Sequence, residues 1–170
     1  MTIIEESVDV RVPVRMAYNQ WTQFESFPRF MDGVLRVDRP KSTLTHWVTR
    51  HCGVTREFDA EIVAQTPDER VAWRGLGTAR HSGTVTFQSF GDERTRVTLR
   101  VDFTPRGVVG WLMVLTGAIR RRVRGNLRCF KLFIEGQGRE TGAWRGVISE
   151  SRVRPDSGQD PPHVPDWPSG

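Results

Sequence analysis

A chain of 170 residues is one domain's worth, long enough to bury roughly two-thirds of its unfolded surface. Hydrophobic residues make up 37% and charged residues 26%, an ordinary globular balance, and no stretch approaches the roughly 20 apolar residues that a membrane span requires. The net charge of +5 raises the question of an acidic partner, but only Lys41 and Lys131 among the 25 basic residues are lysines; such an arginine bias reads as codon usage in a GC-rich genome, so basicity alone does not make the chain a nucleic-acid binder.

The N-terminal stretch Met1 to Val12 alternates polar and apolar residues and carries Glu5, Glu6 and Asp9. It lacks the basic region and apolar core of a secretory signal, and the expected address is the cytoplasm. Cys52 and Cys129 lie far apart, match no metal spacing, and read as free thiols.

Val8, Val10 and Val12 alternate with Asp9 and Arg11, a half-buried strand that Pro13 closes. A short helix follows from about Val14 to Thr22. Phe24 to Met31 is an aromatic-rich turn or second short helix, with Ser26 and Pro28 placed to start it. Asp32-Gly33 then signals a turn before a strand near Val34 to Val37. Further strands are expected at Thr45–His51, Val54–Gln65, Arg70–Arg74, Arg80–Phe90 and Arg94–Thr104. Cys52-Gly53, Pro67-Asp68, the segment through Gly75, Gly77 and Thr78, and Gly91-Asp92-Glu93 separate them. These are hairpin spacings, so the sheet should be an antiparallel meander.

The last two strands set their own register. Val97, Leu99, Val101 and Phe103 alternate with Arg96, Thr98, Arg100 and Asp102. Folding back through the Gly91 turn puts Phe87 opposite Val97 and Val85 opposite Leu99, with Gly83 and His81 on the same inner face. Phe58, Ala60 and Ile62 should also face inward. For the preceding strand two parities are open. One turns Trp47, Thr49 and His51 inward, with Arg56 following across the turn. The other turns His46, Val48 and Arg50 inward. The first is favoured, because burying the indole is worth more than burying Val48.

Pro105 ends the sheet. From Val109 to about Gln137 an apolar stripe through Val109, Met113, Thr116, Ile119, Val123, Leu127, Phe130 and Ile134 predicts one continuous helix of about 40 Å. Gly136 and Gly138 stop it. Residues 151–170 hold five of the ten prolines, and a disordered Pro-rich tail is expected over 148–170 behind a domain at 1–147.

Trp21 to Val34, Pro67-Asp68-Glu69-Arg70-Val71-Ala72-Trp73 and the block Phe130 to Trp144, with Thr141-Gly142-Ala143-Trp144-Arg145, resemble the polyketide cyclase/dehydrase branch of the START-like (SRPBCC) superfamily over about residues 3–147. The resemblance implies an α+β helix-grip fold: a curved antiparallel sheet of about seven strands around a long C-terminal helix, with two short helices after the first strand. It further implies a cavity between helix and sheet for a hydrophobic small molecule such as a polyketide, an isoprenoid or quinone, or a lipid. The quoted motifs are scaffold motifs and carry no catalytic signature.

Candidate cavity walls are Trp47, Thr49, Arg56, Phe58, Trp73, Val85, Phe87, Leu99, Val101, Met113, Thr116 and Leu127, set against the simpler reading that they fill a solid core. Polar groups on the inner face are more telling, since burying them unpaired costs a few kcal/mol. A cyclase needs a group to polarise a ketone or to remove a proton beside it, and His81 and His51 are the catalytic candidates. Glu57, Asp59 and Glu61 fall on the outward parity. No hydrolase triad context, phosphate loop or metal-ligand cluster occurs, the four histidines are scattered with His163 in the tail, and no cofactor is expected.

Two features point outward. Arg120, Arg121, Arg122, Arg124, Arg128 and Lys131 stud the long helix, and Trp111 to Leu115 is apolar all round. Three readings stay open: a peripheral membrane contact, an acidic protein or RNA partner, and a solvated helix back beside a buried lip.

Overall fold

The computed structural model describes residues 2–51, 53–77 and 79–154. Cys52, Thr78, His163 and the Pro-rich tail from residue 155 onward lie outside the described residues.

The chain runs β1 (Thr2–Val10), α1 (Val14–Trp21), a 3-10 turn (Phe24–Arg29), then β2 (Val34–Lys41), β3 (Leu44–His51), β4 (Val54–Thr66), β5 (Arg70–Gly75), β6 (His81–Gly91) and β7 (Arg94–Phe103). Two helices follow, α2 (Gly107–Leu115) and α3 (Ala118–Gln137), and then two three-residue strands, β8 (Val147–Ser149) and β9 (Arg152–Arg154). All pairings are antiparallel, in the order β1-β7-β6-β5-β4-β3-β2. Along this path each neighbour from β2 to β7 is next in sequence, and β1 crosses over to flank β7. This is the helix-grip α+β fold.

The register follows the side-chain alternation. Val85 faces Leu99 and Phe87 faces Val97, so one face of β6 and β7 is apolar and Val85, Phe87, Val97 and Leu99 are buried. Trp47 faces Phe58 and Thr49 faces Arg56 across β3 and β4. A one-residue slip would turn each of these sets to solvent.

α3 crosses the concave side of the sheet. Its buried residues Val123, Leu127, Phe130 and Ile134 recur at four, three and four, one stripe along a helix of 3.6 residues per turn. Phe130 is the hub. Its ring meets Trp21 edge-on at 5.1 Å and Phe30 at 5.4 Å, and Trp21 in turn contacts Phe27 at 5.3 Å. The aromatic turn after α1 is thereby clamped between helix and sheet.

Two departures from the sequence expectation matter. The long helix is not continuous: Gly117 adopts φ +68°, a left-handed conformation that only glycine takes without strain. Thr116 Oγ1 donates to the Leu112 carbonyl at 2.8 Å, and Gly117 N–H bonds to Val114 O, closing α2 before α3 begins. α2 therefore leaves the axis of α3 and buries none of its side chains. Met113 ends half-buried and Thr116 exposed.

Beyond residue 147 the chain also adds to the sheet. β8 meets β4 at Gln65↔Ile148 and pairs with β9, and Ile148 is buried. The approach to it is held by polar contacts. Buried Gln20 accepts from Thr141 N–H and donates to Thr141 Oγ1, while Arg145 donates to Asn19 and to both oxygens of Asp68. Such buried, mutually satisfied groups favour one docking geometry over others.

Candidate functional site: a cavity between sheet and helix

A cavity of about 230 Å³ lies between the sheet's concave face and α3. Inward positions of the central strands form one wall: Trp47 and Thr49 from β3, Phe58, Ala60 and Ile62 from β4, Trp73 from β5, His81 from β6, and Leu99 and Val101 from β7. Trp21, Phe24, Phe27 and Met31 close one side, and Ile119, Arg122, Val123 and Asn126 of α3 form the roof. Aromatic rings run in series along it. Phe27 lies 5.7 Å from Trp47, Trp47 stacks parallel to Phe58 at 6.0 Å, and Phe58 takes the His81 ring edge-on at 4.9 Å. Such faces and edges suit a flat ring better than a flexible chain.

The polar groups divide into occupied and available ones. Thr45 Oγ1 donates to Ala60 O and accepts from Trp47 Nε1, while Thr49 Oγ1 donates weakly to Arg56 O at 3.4 Å. Asn126 Oδ1 accepts the Asp32 N–H at 3.2 Å, which turns its amide NH2 to the other side. Arg122 Nη1 bonds to His51 Nδ1. A guanidinium has no acceptor, so His51 must be neutral with its proton on Nε2. Burial, reinforced by the Arg122 charge, lowers the His51 pKa, in agreement with a neutral ring. Arg122 has five N–H donors, so most remain for a ligand. The His81 ring engages no hydrogen-bond partner among the described residues, and burial alone holds its pKa below the ordinary histidine value. The cavity thus offers an apolar body with donors at Arg122 and Asn126 and a neutral imidazole at His81.

Of the sequence candidates, Trp47, Thr49, Phe58, Trp73, Leu99, Val101 and His81 line this space. His51 stands behind Arg122. Arg56 shares their face but lies exposed near the sheet's end. Val85, Phe87 and Leu127 are solid core, while Met113 and Thr116 left the wall when the helix broke at Gly117. Sequence reasoning set Arg122 among the outward-pointing arginines and passed over Asn126, but the structure brings both to the roof. They are four apart and flank the Ile119–Val123 stripe, a spacing that sets both beside it. Ala60 and Ile62 share the parity of Phe58 and could have been added on that ground.

A model of the family described as polyketide cyclase/dehydrase and lipid transport matches residues 10–131. The chain belongs to this family. A Streptomyces lincolnensis relative, an uncharacterized 17.2 kDa protein from the melC2-rnhH intergenic region, is 52% identical over 149 residues, covering 87% of this chain and 99% of that one. Among solved structures, the Zhui aromatase/cyclase of Streptomyces sp. R1128 superposes with a TM-score of 0.70 at 16% identity, over 84% of this chain and 99% of the other. A START superfamily protein from Mycobacterium smegmatis gives 0.59 at 11%, over 74% and 97%. At such identities these structural likenesses speak for the fold.

His81 in the cavity and His51 behind Arg122 both bear on pH in this polyketide cyclase/dehydrase-family chain. A buried imidazole resists protonation, whereas the unfolded chain takes up its proton below about pH 6.5. The unfolded state then binds more protons, so stability is complete above about pH 6.5 and falls as pH drops through the interval below it. Urea unfolding from pH 7.5 to 5 is expected to register that fall, and His81→Phe to reduce its slope. An identical slope in the variant would show that the folded protein does not hold His81 neutral. The carboxylates Glu6, Asp9, Glu135 and Glu140 have lowered pKa values and act below this window, in the carboxylate range.

Proposed function

We propose that the protein binds a compact, ring-containing hydrophobic molecule bearing carbonyl or phenolic oxygens in the cavity under α3. The observation that carries this reading is the unspent donors of Arg122 and Asn126 in an otherwise aromatic enclosure. Both side chains are half-buried at the roof, and a few convergent donors beside an apolar body are what fixes the orientation of a ligand carrying acceptor oxygens. A volume below the roughly 300–1,000 Å³ of drug-sized pockets favours one or two fused rings over a long lipid chain.

The test is a thermal shift with 1,4-naphthoquinone, naphthalene and decanoic acid. At a hundredfold excess over Kd a ligand adds about 2.7 kcal/mol, which raises Tm by about 5–10 °C in a chain of this size. The quinone should give the largest shift, and Ala60→Phe, which projects a ring into the cavity, should abolish it without unfolding the protein. No shift with the quinone, or an undiminished shift in Ala60→Phe, would remove the cavity from the reading.

A second reading, cyclisation of a poly-β-ketone, draws on the unpartnered His81 ring. A neutral imidazole could take a proton from a methylene between two carbonyls while Arg122 steadies the enolate oxygen. Attack of that carbon on another carbonyl closes a ring, and loss of water follows. His81→Phe would then keep naphthoquinone binding but lose turnover of the poly-β-ketone. Unchanged turnover would exclude His81 as the base.

A further inference from the structure

Every residue of α2 from Gly107 to Leu115 is apolar or glycine. Val108, Val109, Trp111, Leu112 and Leu115 are between 52 and 79% exposed, more than half of each in water. Transfer of such surface out of water is favourable by about 25 cal/mol per Å², so a helix left in this state calls for a cover. The polar surroundings say which. From Phe103 to Ile134 the chain contains no aspartate or glutamate. Arg106 sits exposed at the base of α2, and Arg80 is brought beside it where Thr104 N–H bonds to Arg80 O. Both guanidinium groups lack a partner among the described residues. Arg121 donates to the Thr116 carbonyl at the other end, whereas Arg120 and Arg124 are engaged by Glu6.

We propose that α2 docks the protein on an anionic lipid bilayer, with α2 in the boundary between headgroups and acyl chains and Arg80, Arg106 and Arg121 against lipid phosphates. Three features favour a bilayer over a protein groove or a second copy. The exposed residues form one broad apolar face, with Gly110, Met113 and Val114 half-buried behind it, and the arginines at both ends of that acid-free face match anionic headgroups. Its C-terminal backbone is already closed, through Thr116 N–H to Leu112 O, Gly117 N–H to Val114 O and Thr116 Oγ1 to Leu112 O, as a segment entering hydrocarbon needs. At about 14 Å it reaches into one leaflet and cannot cross a core of about 30 Å, in keeping with Trp111 as an interfacial anchor. Among the described residues no helix is long and apolar enough to cross a membrane.

The placement has a consequence for the cavity. α2 is strung between the end of β7, just past Val101, and the start of α3, just before Ile119, and both residues line the cavity. The docked face is thus the end of the molecule at which an apolar ligand would pass to or from lipid. The docking itself does not depend on the ligand reading, and loss of vesicle binding would leave the naphthoquinone shift untouched.

The experiment is co-sedimentation of the full chain with vesicles of phosphatidylcholine, with and without phosphatidylglycerol. Wild type is expected to sediment with the anionic vesicles. Binding should weaken as salt shortens the Debye length from about 10 to 3 Å, and by about fivefold for each arginine replaced in Arg80→Gln and Arg106→Gln. Leu112→Glu/Leu115→Glu should stay in the supernatant with an unchanged melting temperature, since neither side chain is buried. Wild type left in solution with both vesicles, or glutamate substitutions that sediment like wild type, would overturn the proposal. So would a concentration-dependent dimer that those substitutions dissolve while vesicles have no effect, because the face would then belong to a second copy.

Discussion

Phe130→Ala is expected to lower the unfolding free energy by about 3–5 kcal/mol, the range for deleting a fully buried aromatic ring. Phe130 is completely buried, and its ring is where Trp21, Phe30 and the α3 stripe converge. Its removal leaves rigid rings around a void, which cannot collapse as a cluster of flexible aliphatic chains could. For a domain whose whole stability is about 5–15 kcal/mol, the loss should lower Tm by about 10–15 °C. Leu132→Ala, on the same helix but 64% exposed, should change stability by no more than about 0.5 kcal/mol. Urea denaturation of the two variants checks the contrast. A loss under about 1 kcal/mol for Phe130→Ala would mean that α3 is not clamped by this hub.

The second large effect is expected at Gly83, where the smallest possible addition acts on the cavity wall. A Cβ built there would lie 2.2 Å from the Trp73 indole, far inside van der Waals contact, and Gly83 faces Trp73 directly across β5 and β6. Gly→Ala in a strand ordinarily helps by about 0.5–1 kcal/mol, because the unfolded chain loses freedom. Here the indole must move off the strand, so Gly83→Ala should instead cost about 1–3 kcal/mol, as overpacking does. The displaced indole has only the cavity to enter, and the naphthoquinone shift should vanish with it. The pair Gly83→Ala/Trp73→Ala relieves the clash, so its destabilisation should fall below the sum of the two single changes. Strict additivity would show that the two side chains do not compete for one space.

Both effects rest on positions whose inward direction is visible in the sequence but whose neighbours are not. Period-two alternation identified the inner faces of β4, β6 and β7. The Gly91 turn set the pairing of Val85 with Leu99, since a hairpin leaves few registers and only one buries both apolar sets. The Trp47 parity followed from the relative value of burying an indole. The candidates Trp47, Thr49, Phe58, Trp73, His81, Leu99 and Val101 all come from such strand arguments and stand around one space. Other strand candidates do not line it: Arg56 is exposed, Val85 and Phe87 are buried in the core, and His51 stands behind Arg122. Of the helix candidates Leu127 is core, and Met113 and Thr116 were lost where the stripe was extended across Gly117.

Legible in the residues alone, therefore, are the side of each strand that faces the core and the helix stripe that faces the sheet. Burial acts on each side chain separately, and its periodicity is written directly in the chain. The tertiary structure alone decided three further matters. The backbone torsion of Gly117 turned α2 away from the sheet and left its apolar surface in water, because a side-chain pattern carries no record of a left-handed glycine. The approach of α3 to the end of β3 joined Arg122 to His51, two residues 71 apart in sequence, and so set the tautomer at the cavity's edge. The hairpin of β8 and β9 found its place on β4 through Gln65 opposite Ile148 and Ser151 N–H to the Val63 carbonyl, long-range contacts that local propensity cannot encode. The last two depend on where distant segments meet, and that follows from the summed packing of the whole domain.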